Sequence, residues 1–229
     1  MAPTVGILVF PGSNCEHDVA AALTRLGAHA RLVWHGESHL GDLDAVVVPG
    51  GFAHGDYLRP GAIARFSPAM VALADFAAGG GPVLGICNGF QVLTEAGLLP
   101  GALRPNASMR FVCETVRCAV ASTASVLTAG LEVGRVLALP VNHYEGNYTC
   151  PPEVLAGLEA RGQVVLRYLD NPNGSTGDVA GVANETGNVV GLMPHPERAS
   201  DVLLGSADGV PLLEAFLAAA RRPAGARVR

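Results

Sequence analysis

The most constraining segment of the chain is an apolar run over residues 82–86 that stops at Cys87, with Gly85 two positions before the cysteine and Gly89 two positions after it. Glycine permits tight turns and close approach of neighbouring backbone, so the pattern predicts a strand that reverses sharply into a helix, the geometry of a nucleophile elbow. Residues 88–97 support the helix, with apolar residues at helical spacing and a closing glycine. Cys87 is therefore expected in a strained turn at a helix N-terminus, with its sulfur exposed.

This placement of Cys87 has a chemical consequence. Unpaired backbone N–H groups and the helix dipole favour a thiolate over a thiol at a helix N-terminus, and a thiolate is the nucleophile that acyl transfer requires. A buried structural cysteine at the end of a core strand is the plainer alternative, because cysteine is among the most buried residue types. The two glycines and the helical pattern that follows favour the nucleophile.

Apolar runs alternate with helical patterns through the first hundred residues. In chain order these segments cover 5–10, 16–26, 30–34, 45–49, 67–78, 83–86 and 88–96. Their βαβα order predicts an α/β fold, a flavodoxin-like three-layer α/β/α sandwich whose central sheet is mostly parallel. Shorter strand-like stretches follow after residue 109, and a closing helix is predicted over 210–220. Active residues are expected at the carboxyl ends of the strands.

The size and charge of the chain limit its class. With 229 residues, 49% of them hydrophobic, it can bury one substantial core, and no Ser- or Pro-rich linker divides it. We expect one domain over 1–220 and a basic tail over 221–229, which holds four arginines. The formal charge of −5 and the absence of an internal basic run argue against nucleic acid as a partner.

Targeting and redox signals are sparse. The apolar run at 5–10 is too short for a signal-peptide core and has no basic residue before it, so we interpret it as the first strand. No stretch approaches the length of a membrane span. The five cysteines are odd in number and lack CxxC spacing, which indicates neither a disulfide framework nor a zinc ribbon. A reducing cytoplasm fits these features best.

All fifteen positively charged side chains are arginines, so the chain contains no lysine. This excludes a lysine Schiff base, a P-loop lysine and the lysine that holds ATP phosphates in kinases. We expect no cofactor on this chain. If the reaction uses ATP, another chain should bind it.

A cysteine nucleophile needs a base, and the base needs an orienting group. Of the seven histidines, His195 is distinctive because prolines stand on both sides of it and Glu197 follows two positions later. Prolines favour an extended backbone, in which residues two apart point to the same side. A carboxylate there fixes the tautomer of the imidazole and raises its basicity. The alternative, a rigid turn with an exposed His and Glu, is less favoured once Cys87 is considered.

Two backbone N–H groups are candidate donors to the oxyanion of a tetrahedral intermediate. One belongs to Asn88, directly after the nucleophile, and the other to Gly51, where a strand ends in a double glycine. One such donor is typically worth roughly 10² to 10³ in rate.

The first loop, residues 11–18, crowds a cysteine, a histidine and two acids together, as a metal site or a second nucleophile would. Ser13 and Glu16 have the spacing of a capping box, and Glu16 and Asp18 suit the first turn of a helix. We therefore interpret the loop as a helix start and predict no metal.

Together, the Pro-Gly-Gly at 49–51, the G-x-C-x-G-x-Q pattern at 85–91 and His195-x-Glu197 resemble the class I glutamine amidotransferases, which hydrolyse glutamine to glutamate and ammonia. A closer resemblance, over nearly the whole chain, is to the glutaminase subunits of phosphoribosylformylglycinamidine synthases in purine biosynthesis. Besides Asn88, it is carried by PGSNC at 11–15, GDYLR at 55–59, NPNGS at 171–175 and GLMPHPER at 191–198.

The resemblance implies roles for individual residues. Cys87 would be the nucleophile, His195 the base and acid, and Glu197 its orienting group, with Gly51 and Asn88 as oxyanion donors. Contacts with the substrate are implied for Gln91, Arg110 and Phe111, and for the turn at 142–146, which holds Asn142 and His143.

The chain departs from the family pattern at two places. The family has Ser-Tyr where this chain has Ala53-His54, and a glycine in place of Tyr144. The triad positions are unaffected.

The resemblance also implies partners. L-glutamine would be the substrate, and a large synthetase subunit would bind ATP, Mg and formylglycinamide ribonucleotide and accept the ammonia. A small third subunit is expected in bacterial-type complexes. Membrane and nucleic-acid partners are not expected.

Three alternatives stay open at this point. The chain could feed ammonia to another synthetase, which only the more specific segments oppose. It could be a DJ-1-like cysteine hydrolase, although those proteins commonly have histidine where this chain has Asn88. It could be a non-catalytic regulatory subunit, which would more plausibly have lost a member of the triad.

Overall fold

The computed structural model describes residues 1–222, which contain five α-helices and eleven β-strands. The helices are α1 (Glu16–Arg25), α2 (Pro68–Ala78), α3 (Asn88–Glu95), α4 (Pro152–Ala160) and α5 (Val210–Ala220). The strands are β1 (Thr4–Val9), β2 (His29–Trp34), β3 (Ala45–Val48), β4 (Val83–Ile86), β5 (Ala102–Arg104), β6 (Val112–Val120), β7 (Val136–His143), β8 (Asn147–Thr149), β9 (Val164–Tyr168), β10 (Val179–Ala183) and β11 (Val189–Leu192).

Nine strands form one sheet in the order β2-β1-β3-β4-β11-β10-β9-β6-β7. The five strands from β2 to β11 are parallel to one another, and the remaining four extend the sheet in antiparallel fashion. Strands β5 and β8 pair separately as a small two-stranded sheet. Strands β3, β4, β10 and β11 are buried along their whole length, which explains why their sequences are continuous apolar runs without alternation.

The helices cover the sheet in two groups. Helices α1 and α5 both contact the short 3₁₀ turn Pro196–Ala199, whereas α2 and α3 both contact another such turn, Ala64–Phe66. This arrangement confirms the predicted α/β sandwich. Within residues 1–222, none of the helices combines the length and apolar character that crossing a lipid bilayer requires.

Three elements were not predicted: α4, β5 and β8. The two strands are three residues long, too short to show a period, and α4 has Pro151 as its N-cap and Pro152 as its first residue. The predicted basic tail, 221–229, falls largely outside the described residues.

The capping box predicted at Ser13 and Glu16 is wrong. Helix α1 begins at Glu16 with Cys15 as its N-cap, and no side chain caps it. The Ser13 hydroxyl instead accepts a hydrogen bond from the N–H of Phe10 at 3.0 Å, because residue 13 still belongs to the loop that bridges to Gly51. Glu16 and Asp18 do lie in the first turn of α1, as predicted.

The start of α3 depends on glycine at position 89. A Cβ placed on Gly89 would lie 1.8 Å from the carbonyl oxygen of Val48, at the end of β3. A Cβ on Gly85 would lie 2.8 Å from the carbonyl of Gly89. The glycines of the sequence pattern therefore allow three backbone segments to pack in direct contact.

We predict that Gly89→Ala destabilises the protein by about 3 kcal/mol, because the clash is with backbone that cannot move aside. Helix propensity alone would favour alanine by roughly 1 kcal/mol, so the sign of the change is diagnostic. Gly79→Ala, at the end of α2, is the matched control, since a Cβ there makes only ordinary contacts at 3.5 Å. Urea denaturation of the two variants measures the difference, and equal stabilities would contradict the prediction.

Candidate active site

Cys87 lies in the turn between β4 and α3 with φ 51° and ψ −106°, a conformation that a residue with a side chain normally avoids. Its N–H donates to the carbonyl of Leu192 at 2.8 Å, and its own carbonyl accepts from Phe90 and Gln91. The strained elbow predicted from the sequence is confirmed. The prediction of an exposed sulfur is wrong, because Cys87 is only 6% exposed and lines a narrow cleft.

The sheet order brings three of the predicted segments together. Strands β3, β4 and β11 are neighbours and parallel, so their carboxyl ends place Gly51, Cys87 and His195 at one edge. Strand β7 is the last strand in the sheet order, but its carboxyl end also lies near these residues. The N–H of His195 donates to the carbonyl of Pro140 at 2.8 Å, and the carbonyl of Asn142 lies 3.9 Å from the Cys87 sulfur.

His195 and Glu197 form a buried pair. The Nδ1 atom of His195 lies 2.6 Å from Oε1 of Glu197, and each side chain is only 1% exposed. Since a carboxylate can only accept, Nδ1 carries a proton, which leaves Nε2 as the atom that can exchange a proton with a reacting group. Burial lowers the pKa of His195, but the negative charges at Glu197 and Cys87 outweigh burial and raise the pKa to about 10.

The backbone of this pair differs from the extended form predicted. His195 itself is extended, but Pro196 opens the 3₁₀ turn Pro196–Ala199. Proline fixes φ near −65°, which suits the first residue of a helical turn as well as an extended chain. The turn still directs Glu197 back to the imidazole.

The two predicted oxyanion donors stand at the ends of neighbouring strands. Gly51 has φ 141° and forms an isolated antiparallel β-bridge with Ser13. The two hydrogen bonds of this bridge run from the N–H of Asn14 to the carbonyl of Gly50 and from the N–H of Phe52 to the carbonyl of Gly12. The bridge therefore does not use the N–H of Gly51. Asn88 is the first residue of α3, where backbone N–H groups have no partner within the helix.

The cleft brings together most of the predicted site residues. Those that line it are Gly51, Cys87, Gln91, Asn142, His143 and His195. Arg110 and Phe111 are exposed and do not line it. Their contact with glutamine stays a prediction.

Asn106, which the sequence did not single out, stabilises the cleft wall around His143 through hydrogen bonds. Its Nδ2 atom donates to the carbonyls of Arg110 and His143, and its Oδ1 atom accepts from the N–H of Gly146. These bonds fix the orientation of the amide, so His143 Nδ1, 3.1 Å from Oδ1, must be the donor. Burial, followed by the neighbouring His195, lowers the pKa of His143 to about 4. His143 is therefore neutral, and its Nε2 is an unprotonated acceptor.

The Asn88 side chain joins the elbow to the surrounding loops. Its Oδ1 accepts from the N–H of Ala53 at 3.0 Å, and its Nδ2 donates to Asp56 at 3.1 Å and to Gln91 at 2.9 Å. Gln91 in turn donates to the backbone carbonyl of Glu145 at 2.6 Å. Asp56 and Glu145 both line the cleft; the sequence had implied a binding role for the 142–146 turn that holds Glu145, but none for Asp56. Asp56 lay within GDYLR and Glu145 directly after the departure at Tyr144, so both were in segments already noted.

Cys15 lies beside the His195–Glu197 pair. Its sulfur donates to Asn14 Oδ1 and accepts from the Arg198 guanidinium, both at 3.2 Å. Burial and then the charge of Glu197 raise the pKa of Cys15 to about 12, so it remains a thiol, which argues against a second nucleophile.

Among residues 1–222, one group has the composition of a metal site: Cys15, His195 and Glu197, whose ligand atoms lie within 4.8 Å of one another. The Nδ1–Oε1 bond of the pair would compete with a metal ion, and the Arg198 cation already contacts the sulfur. The chemistry that this group supports best is proton transfer.

Comparisons with known proteins all indicate the same family for this chain. Residues 2–208 match the model of the CobB/CobQ-like glutamine amidotransferase domain. The phosphoribosylformylglycinamidine synthase subunit PurQ of Rubrobacter xylanophilus is 58% identical, over 95% of this chain and 99% of that protein. PurQ of Synechococcus elongatus is 55% identical, over 93% and 97%. The chain belongs to the PurQ family of glutamine amidotransferases.

A solved structure of PurLQS from Thermotoga maritima agrees. It is 41% identical to this chain, covers 95% of it and 99% of the matched chain, and superposes with a TM-score of 0.88. The resemblance inferred from the sequence is confirmed, and the DJ-1-like alternative is not supported.

We predict that His143 stays in the neutral Nδ1–H tautomer down to about pH 4, because burial opposes its charged form. A histidine in an unstructured peptide titrates near pH 6.5 and serves as the reference. Nitrogen-15 NMR of the imidazole measures both properties. A midpoint near 6.5, or a proton on Nε2, would contradict the assignment.

Proposed function

We propose that the chain hydrolyses L-glutamine to glutamate and ammonia through a thioester on Cys87, with His195 as base and acid and Glu197 as its orienting group. The observation that carries this proposal is the placement of a strained cysteine, a buried His–Glu pair and two backbone donors at the ends of adjacent strands. This is the constellation of nucleophile, base and orienter that acyl transfer requires.

The reaction starts with the Cys87 proton already on Nε2 of His195, and in the first half the thiolate attacks the carboxamide carbon. A C–S bond forms, and the carbonyl π electrons move to the oxygen, where the N–H groups of Gly51 and Asn88 stabilise the negative charge. When the carbonyl re-forms, the C–N bond breaks and His195 returns its proton to the leaving nitrogen. Ammonia leaves, and a γ-glutamyl thioester remains.

In the second half, His195 removes a proton from water, and the oxygen attacks the thioester carbon. Collapse of the second tetrahedral intermediate breaks the C–S bond. The sulfur leaves as a thiolate while His195 keeps the proton taken from water on Nε2, which yields glutamate and restores the starting pair. Glu197 keeps the proton on Nδ1 throughout, so Nε2 alone exchanges protons with the reacting groups.

The ammonia would be used by a partner. We propose that a large synthetase subunit binds ATP, Mg and formylglycinamide ribonucleotide, and that a small third subunit completes the complex. The PurLQS structure of the Thermotoga relative supports this assembly, and the lack of lysine in this chain fits ATP binding elsewhere. The five free cysteines favour a reducing cytoplasm.

We predict that Cys87→Ala abolishes glutamine hydrolysis while the protein still folds. An electrophilic glutamine analogue should label Cys87 alone in the wild type, as measured by mass spectrometry of digested protein. Cys113→Ala is the matched control, because Cys113 is exposed on β6 and should leave labelling and turnover unchanged. A label on Cys15 or Cys150 would overturn the assignment.

We further predict that the isolated chain is a weak glutaminase and that turnover rises by at least about tenfold when the synthetase binds ATP and acceptor, as expected for a coupling of 1–3 kcal/mol between sites. Uncoupled hydrolysis would waste glutamine. Glutamate release is measured for the chain alone and then with each component added in turn. Equal rates in all mixtures would favour an independent hydrolase.

A further inference from the structure

The cleft beside Cys87 is lined by two carboxylates, Asp56 and Glu145, and by no arginine. The chain has no lysine that could balance them. Burial raises the pKa of both groups, and the charge of Glu145 also contributes at Asp56, whose pKa reaches about 6. Two acids that share a partly buried space with no arginine or lysine beside them are favourably placed to receive a cation from a ligand.

Asp56 is positioned with one oxygen available. Its Oδ1 atom accepts from Asn88 Nδ2 at 3.1 Å, and Asn88 is the residue next to the nucleophile. Within residues 1–222, no side chain or backbone group donates to Oδ2. The carboxylate is thus held from one side and can accept a hydrogen bond on the other.

The backbone segment that positions the Asp56 carboxylate is strained. His54, Gly55 and Asp56 have φ values of 55°, 68° and 52°, three left-handed residues in succession, two of which carry side chains. Such residues cost energy wherever they occur and persist only when the surrounding structure imposes them. Here the N–H of His54 donates to Pro11 and that of Gly55 to Phe52.

A chain of hydrogen bonds links the two acidic residues. Asn88 Nδ2 contacts both Asp56 and Gln91 Oε1, and Gln91 Nε2 donates to the Glu145 carbonyl. His143, 4% exposed, adds an Nε2 acceptor without a partner in the described chain to the same cleft. The cleft is therefore rich in acceptors and suits a ligand that brings N–H donors and a positive charge.

We propose that Asp56, supported by the negative charge of Glu145, binds the α-ammonium group of L-glutamine and so selects an α-amino acid amide over a plain carboxamide. This inference rests on the proposed glutaminase function. The contact would form in the ground state and persist in the transition state, so it should act mainly through KM.

The test compares L-glutamine with 4-carbamoylbutanoate, which is glutamine without its α-amino group, in the complete complex. Asp56→Asn keeps the oxygen that accepts from Asn88 and removes the charge. For this variant kcat/KM toward L-glutamine should fall about 10- to 100-fold, the range of a charge-assisted hydrogen bond. For 4-carbamoylbutanoate it should change less than about threefold.

Asp170→Asn is the matched control, because Asp170 is exposed and pairs with Arg117 on the surface. It should leave both substrates unaffected. Glu145→Gln provides a second variant, with a smaller loss expected for L-glutamine alone. This variant keeps the inference testable if Asp56→Asn does not fold.

Equal losses for the two substrates in both variants would overturn the inference and assign Asp56 and Glu145 to support of the elbow. Unchanged discrimination would overturn it as well. Failure of the proposed function has a different signature, since the wild type would then release no ammonia from L-glutamine and form no thioester.

Discussion

The contact between Gly89 and the carbonyl of Val48 is the constraint on which the site depends. The oxygen of Val48 occupies the space that a side chain at position 89 would need, so α3 starts directly against the end of β3. Gly85 makes the corresponding close approach from β4. The positive φ of Cys87 is thus imposed by backbone packing on both sides, and the strain is part of a rigid framework that positions the sulfur.

Two buried histidines in this framework have opposite electrostatic character. Burial lowers the pKa of both, but His195 faces the carboxylate of Glu197 and the sulfur of Cys87, which reverse the shift. His143 bonds to the neutral amide of Asn106, and the nearby His195 lowers its pKa further. One ring can hold and transfer a proton at neutral pH while the other stays neutral. The charges that surround each buried ring decide which role each histidine can take.

The sequence contained enough information for the parallel half of the sheet and for the placement of Cys87, His195 and Glu197, because those features depend on local patterns. Continuous apolar runs gave β3, β4 and β11, and the elbow glycines gave the turn at Cys87. The cleft wall was harder to predict. Asn106 acts through partners about 40 residues away, and Asp56 through the side chain of Asn88, so no local period indicates either role.

The remaining polar groups of the cleft form a pattern that matches a carboxamide. The N–H groups of Gly51 and Asn88, proposed above as oxyanion donors, would suit its oxygen. His143 Nε2 and Asn142 Oδ1 are buried acceptors without partners in the described chain, suited to its nitrogen. A donor that satisfies such a buried acceptor is worth about 1–3 kcal/mol, so the N–H groups of an amide are favoured at these two atoms. The product carboxylate carries lone pairs on both oxygens and would oppose those same acceptors. A site with this pattern favours binding of glutamine over retention of glutamate.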